Sequence, residues 1–212
     1  MSILANLLTD AAAGRFPAAD ESVTLLPQPC ARDLGVIAFT AHSLVFADLD
    51  PVWLRAHLPD GDLSAPLNPP FLRALERKTG RRVDNVDMLL LAPPLPGPPP
   101  VDLVAFTGRT HPRVSRAHRH REGVRAWGCE GGLVVVGRGV AGRWEVAVEI
   151  APDQRGKGLG RALVLSARHL VDHPLWAQVA PGNAASVRAF IAAGFTPVGA
   201  EALLPPPRNP VG

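Results

Sequence analysis

Residues 154–163 read QRGKGLGRAL and follow the alternating run WEVAVEIAP. Gly156, Gly158 and Gly160 alternate with Lys157 and Leu159, and Arg155 and Arg161 flank them. Glycines at a strand-to-helix junction permit positive φ and let the backbone approach a ligand closely. The unpaired N–H groups of a helix's first turn, with its dipole, favour an anion, typically a phosphate. Two common nucleotide motifs fail here. A dinucleotide fingerprint counted from Gly156 needs Gly or Ala where the chain has Arg161, and a P-loop needs Ser or Thr where Gly158 follows Lys157. A tight glycine turn that binds nothing is the competing reading.

On the preceding strand Glu145 and Glu149 are four residues apart, so an unbroken strand turns both to one face. Taken alone, each reads as a solvated or salt-bridged strand carboxylate. Upstream, HPRVSRAHRHREGVR holds five arginines and three histidines. It reads as a solvated basic helix face, or as a surface that steers an anionic cofactor or acidic substrate. Metal binding through His118 and His120 is disfavoured, because i and i+2 on a helix point apart.

The elements that must hold these residues follow from the pattern. The start, MSILANLLTDAAAG, reads as an amphipathic helix. GVIAFTAHSLVFADLD predicts two strands with a tight turn around Ala41–His42. PVWLRAHL and PPFLRALERKTG predict helices, the second opened by prolines and closed by Gly80, and VDNVDMLLLAP predicts a strand. APPLPGPPP, residues 92–100, has six prolines in nine positions and reads as an extended connector. It divides the chain into 1–91, an α/β region without chemistry-bearing motifs, and 101–212. Beyond it come the strand-like VDLVAFTG, a helix from Pro112, and three strands in VRAWGCE, GLVVVGRGV and RWEVAVEI. A helix follows the glycines, then the strand PLWAQVAP, the helix NAASVRAFIAAG and a last strand or two in FTPVGAEALL. The tail PPPRNPVG should be loose.

The bulk numbers are those of a globular chain: 212 residues, 47% hydrophobic and 19% charged. Proline is in excess at 23 residues, about twice the usual ~5% share, and tyrosine is absent. The net charge of +3 suits a polyanionic small ligand without requiring one. Cys30 and Cys129 show no metal spacing and read as reduced, packed residues of a cytoplasmic protein. No apolar run is long enough to span a bilayer.

IAPDQRGKGLGRAL resembles motif A of the GNAT acetyltransferase superfamily: Arg155, Gly158 and Gly160 fit its loop, and Ile150 and Pro152 its strand end. NAASVRAFIAAGF resembles motif B, with Asn183, Ser186, Phe190, Gly194 and Phe195 in register. The resemblance covers roughly residues 120 to 203. It implies an α/β (α+β) fold: a GNAT-type mixed, mostly antiparallel sheet flanked by helices, with an N-terminal α/β extension or half-domain. It further implies that the loop from Arg155 through Gly156, Lys157, Gly158, Leu159 and Gly160 to Arg161 holds the pyrophosphate of acetyl-CoA. Val148 and Ile150 would bond its pantetheine arm, PLWAQV would splay away to leave a slot, and Asn183, Ser186 and Phe190 would lie near the cofactor. Asn183 has a competing role as an N-cap, and Phe190 sits at core spacing.

By the same resemblance Glu145, seven residues before Pro152, is the first choice of base and Glu149 the second. The chain departs from the family at the acid, since Phe190 stands where many members have tyrosine. The implied activity is acetyl transfer from acetyl-CoA to an amine of a small molecule or protein, with a weakly active or inactive acetyl-CoA-binding module as the alternative. Nucleic-acid binding is disfavoured for want of an aromatic stacking platform or motif. The N-terminal half could supply the first elements of a GNAT sheet, form an acceptor-binding wall, or mediate homodimerisation.

Overall fold

The computed structural model describes residues 1–207 and divides into two compact units, Met1–Met88 with the chain from Val198 on, and Leu89–Pro197. Both are mixed α/β. Among the described residues no helix is long and apolar enough to cross a membrane.

In the first unit, helix α1 (Ile3–Ala12) is capped by Ser2, whose Oγ accepts from the Ala5 N–H at 3.1 Å. Its Leu4, Leu8 and Ala11 are buried, which is the apolar stripe of the pattern. Strands β1 (Ser22–Leu26), β2 (Gly35–Phe39) and β3 (His42–Phe46) are joined by helices α2 (Pro51–His57) and α3 (Pro69–Thr79) to the rest of the unit. Asp50 caps α2, and Gly80 ends α3 with φ +69. The last strand, β10 (Thr196–Leu203), returns to pair antiparallel with β2, giving the order β1-β3-β2-β10. Val36, Val45, Leu54, Phe71, Leu75 and Ala202 form its core. β1, which the pattern did not reveal, is parallel to β3. His42 ties it in: its Nε2 meets Thr24 Oγ1 at 3.1 Å, and its Nδ1 meets Asp20 Oδ1 at 2.9 Å and Ser22 Oγ at 3.2 Å.

The second unit is a sheet in the order β4-β9-β8-β7-β6-β5. It comprises β4 (Val86–Ala92, from Leu89 on), β5 (Val104–Ala105), β6 (Glu122–Cys129), β7 (Gly132–Arg138), β8 (Trp144–Ile150) and β9 (Leu175–Val179). β5 to β8 form an antiparallel meander, and β8 runs parallel to β9. Helix α4 (Pro112–His120) packs on β6 and β7 through Val114 and Ala117, which join Ala126, Leu133 and Val135 in one cluster. Helix α5 (Leu159–Ala167) packs on β7 and β8 and against helix α6 (Ala184–Ala192).

Three expectations change. The dividing line is not the proline segment, because β10 leaves the C-terminal part and completes the first unit's sheet. Nor is residues 92–100 a free connector. The Leu95 N–H donates to Arg168 O at 2.8 Å, Arg168 Nε to Pro93 O at 2.9 Å, and His169 Nδ1 meets Gly97 O at 3.1 Å. An extended proline-rich backbone leaves its carbonyls unpaired, and the end of α5 uses them. The expected loose tail lies from residue 208 on outside the described residues; residues 205–207 have no regular structure. Cys30 and Cys129 are both free, but Cys30 is exposed on the surface and not packed.

Candidate active site

The sheet register sorts β8 by face. Gly160 on α5 lies over Ile150, so Val146, Val148 and Ile150 face that helix. Glu145, Ala147 and Glu149 face α4. Arg113 near the start of α4 reaches Glu149, and Arg121 just past its end reaches Glu145, each at 3.0 Å. The match is geometric: eight residues of helix rise ~12 Å and four residues of strand span ~13 Å.

Glu145 is sealed. Oε1 accepts from Arg143 Nε at 2.9 Å, Gln178 Nε2 at 3.0 Å and the Val140 N–H at 3.2 Å, while Oε2 accepts from Arg121 Nε. Burial raises the carboxyl's pKa, but the Arg143 and Arg121 charges and these hydrogen bonds outweigh it and hold the group below the usual carboxylate range. Arg143 also stacks over Trp176, 5.3 Å from its ring centre. Any side chain at Gly139 would run into this carboxylate. The residue expected to act first as base is thus buried, with four donors on its carboxylate. Glu149, four residues on, has its side chain 41% exposed.

The β8–β9 ladder consists of the single bridge Glu145–Trp176. Beyond it both strands run on, to Ile150 and Val179, without further pairing. Val148 and Ile150 are half-buried at that unpaired end.

Next comes the glycine loop. Gly156 and Gly158 adopt φ +76 and +86, and Gly158 is the N-cap of α5 without any side-chain cap. Added Cβ atoms at these positions would meet nothing within 4 Å, so positive φ, and not crowding by the chain itself, requires glycine. Gly160 differs: its φ is not positive, and a Cβ there would make an ordinary van der Waals contact with Ile150. The first backbone bond of α5 runs from the Ala162 N–H to Gly158 O at 3.2 Å. From Gly156 to Arg161 no described group accepts from the main-chain N–H groups. Leu159 is half-buried, while Arg155, Lys157 and Arg161 are exposed; Arg155 and Lys157 make only long contacts, to Ile150 O at 3.4 Å and Gln154 Oε1 at 3.5 Å. The loop thus presents a row of donors and three cations to solvent, which fits a phosphate or pyrophosphate group.

At α6, Asn183 Oδ1 accepts from the Ser186 N–H at 3.2 Å and so acts as an N-cap. Phe190 is 5% exposed and meets Phe195 edge to face with ring centres 5.0 Å apart. It packs in the core beside the turn that follows α6. Gly194 closes this turn at φ +84, where a Cβ would strike the Arg168 guanidinium that holds Ala193 O. Sequence reasoning missed Arg113, Arg121, Arg143 and Gln178 as partners of the two glutamates. The eight-residue spacing of Arg113 and Arg121, twice that of the glutamates, was the available signal.

Residues 111–195 match the model of the acetyltransferase (GNAT) family. Among solved structures the chain is similar to a GNAT-family protein from Novosphingobium aromaticivorans, at 20% identity over 59% of this chain and 66% of that one, with a TM-score of 0.44. It is also similar to a GNAT-family acetyltransferase from Colwellia psychrerythraea, at 10% identity over 65% and 62%, TM-score 0.40. A GCN5-related N-acetyltransferase from Kribbella flavida is a third, at 18% identity over 66% and 65%, TM-score 0.42. The chain thus spans just under two thirds of the length of these solved chains. No curated protein matches it.

Proposed function

We propose, from the match of residues 111–195 to the acetyltransferase (GNAT) family model, that this chain is an N-acetyltransferase that moves an acetyl group from acetyl-CoA to an amine by direct attack. The observation that carries this reading is the row of unclaimed N–H groups from Gly156 to Arg161, set among three cations at the end of a strand that has parted from its neighbour. The loop amides with Arg155, Lys157 and Arg161 hold the pyrophosphate. Val148 and Ile150 lie where the main chain of an unpaired strand edge can bond the pantetheine arm and polarise the thioester carbonyl.

Glu149 is the base in this reading, in place of Glu145. It reaches solvent, whereas all the space around the Glu145 carboxylate is filled by donors. A half-exposed carboxylate can take a proton from an incoming ammonium and pass it to water. A cytoplasmic, reducing setting completes the reading, in keeping with the free Cys30 and Cys129.

One observation favours a second reading. The chain has no tyrosine, and Phe190 is buried, so no side chain is evident to protonate the leaving thiolate. The protein would then bind acetyl-CoA without efficient turnover. Thiol release from acetyl-CoA with a panel of amines separates the two: amine-dependent release lost in Glu149→Gln supports the transferase, and binding without release supports the module.

A further inference from the structure

Arg113 and Glu149 form an ion pair that is open to solvent. Nε meets Oε2 at 3.0 Å, and the two side chains are 36% and 41% exposed, against 10% and 4% for the Arg121–Glu145 pair. Only Nε of Arg113 is engaged; among the described residues its two terminal nitrogens have no recorded partner. Those nitrogens are the pair that takes a carboxylate in a two-point fork. Arg113 also lies in the first turn of α4, at the positive end of the helix dipole, and no acidic residue occurs from His111 to Arg121.

A cation and a carboxylate 3.0 Å apart are the reverse image of an amine and a carboxylate joined by one carbon. Resting on the acetyltransferase reading above, we propose that the acceptor is an amino-carboxylate of the free amino acid class. Arg113 grips its carboxylate while its amine is delivered to Glu149. The ligand inserts between the two side chains and exchanges one half-exposed ion pair, which is weak, for two pairs of its own. In the transfer the ammonium gives one proton to Glu149, and the neutral nitrogen forms the N–C bond to the thioester carbonyl as the C–S bond breaks. The remaining surplus N–H proton passes through water to the departing thiolate, and Glu149 returns its proton to solvent. Arg113 sets specificity here, and Glu149 does the chemistry.

The test compares amino acids with their own C-terminal amides, which keep the amine and lose the carboxylate. Binding is read by calorimetry on the protein alone, and transfer by thiol release with acetyl-CoA, for the wild type, Arg113→Gln and Arg113→Lys. Acids should outperform amides by on the order of 10- to 100-fold in both readouts. Arg113→Gln should erase the preference through KM and not kcat, and Arg113→Lys should restore part of it. Equal use of acids and amides by the wild type, or a preference that survives Arg113→Gln, would overturn the proposal. Failure of acetyl-CoA itself to bind would instead remove the transferase reading, and the calorimetric comparison of acid and amide would still decide this one.

Discussion

At one end of β8 two arginines, a glutamine amide and a main-chain N–H converge on Glu145, a carboxylate 3% exposed; at the other end one arginine meets Glu149, whose side chain is 41% exposed. Residue type, strand and face are the same. Burial and the number of donors separate them. The sealed end sits where β8 and β9 still bridge, and it holds strand, helix end and loop together. The open end sits where the strands have parted, next to the glycine loop. A group saturated with donors and held below its usual pKa is a poor proton acceptor, which is why the proposed base is Glu149 and not Glu145.

The sharpest way to break this comparison is to neutralise each carboxylate in turn. Glu149→Gln should lower kcat about 10²- to 10⁴-fold and shift stability by no more than about 0.5 kcal/mol. Glu145→Gln should cost roughly 3–5 kcal/mol, because two buried guanidinium groups lose their counter-charge. Urea unfolding and steady-state kinetics on both variants read the two columns, and a swap between them would reverse the assignment. Gly139→Ala tests the sealed end from its backbone side: the added Cβ must push the Glu145 carboxylate aside, at a cost of about 1–3 kcal/mol, with acetyl-CoA affinity kept.

Acid should then act through the same group. Because the Glu145 pKa is depressed in the folded chain, its stabilisation is complete above the unfolded value of ~4.3 and is lost as pH falls from there through the folded value. Unfolding measured across that window should steepen for the wild type and flatten for Glu145→Gln. The smallest effect belongs to the first unit. Asp20 is exposed, yet hydrogen bonds from Ser22 and then His42 lower its pKa to about 2. Carbon-detected NMR titration of His42→Ala should return it toward the ordinary range. An unchanged midpoint would leave Ser22 as its main partner.

What the sequence reveals of this arrangement tracks how local each cause is. The glycine loop, the N-cap at Asn183 and the two closing glycines, Gly80 and Gly194, are legible because each depends on φ or on a bond within three or four residues. The alternation of β8 likewise places both glutamates on one face. Which of them is buried depends on Arg121, Arg143 and Gln178, brought in by a helix end, a loop and a parallel strand, and no window of ten residues contains that. β10 looks like an ordinary last strand of its own half, but its partner β2 lies far back in the chain. β1 is short and its polar face is satisfied by His42, twenty residues away, so its strand pattern is weak. Phe190 reads equally as core or contact in the sequence, and its edge-on contact with Phe195 depends on the turn that brings the two rings together.

Acetyl-CoA calorimetry on three proteins tests the central claim most directly: the wild type, Gly158→Asn, which tolerates the positive φ, and Gly158→Glu, which adds charge at the same point. Binding at one site by the wild type, largely kept in the Asn variant and abolished in the Glu variant, is the predicted result. No binding by the wild type, or equal binding by all three, would contradict the assignment of the loop from Gly156 to Arg161 as the pyrophosphate site.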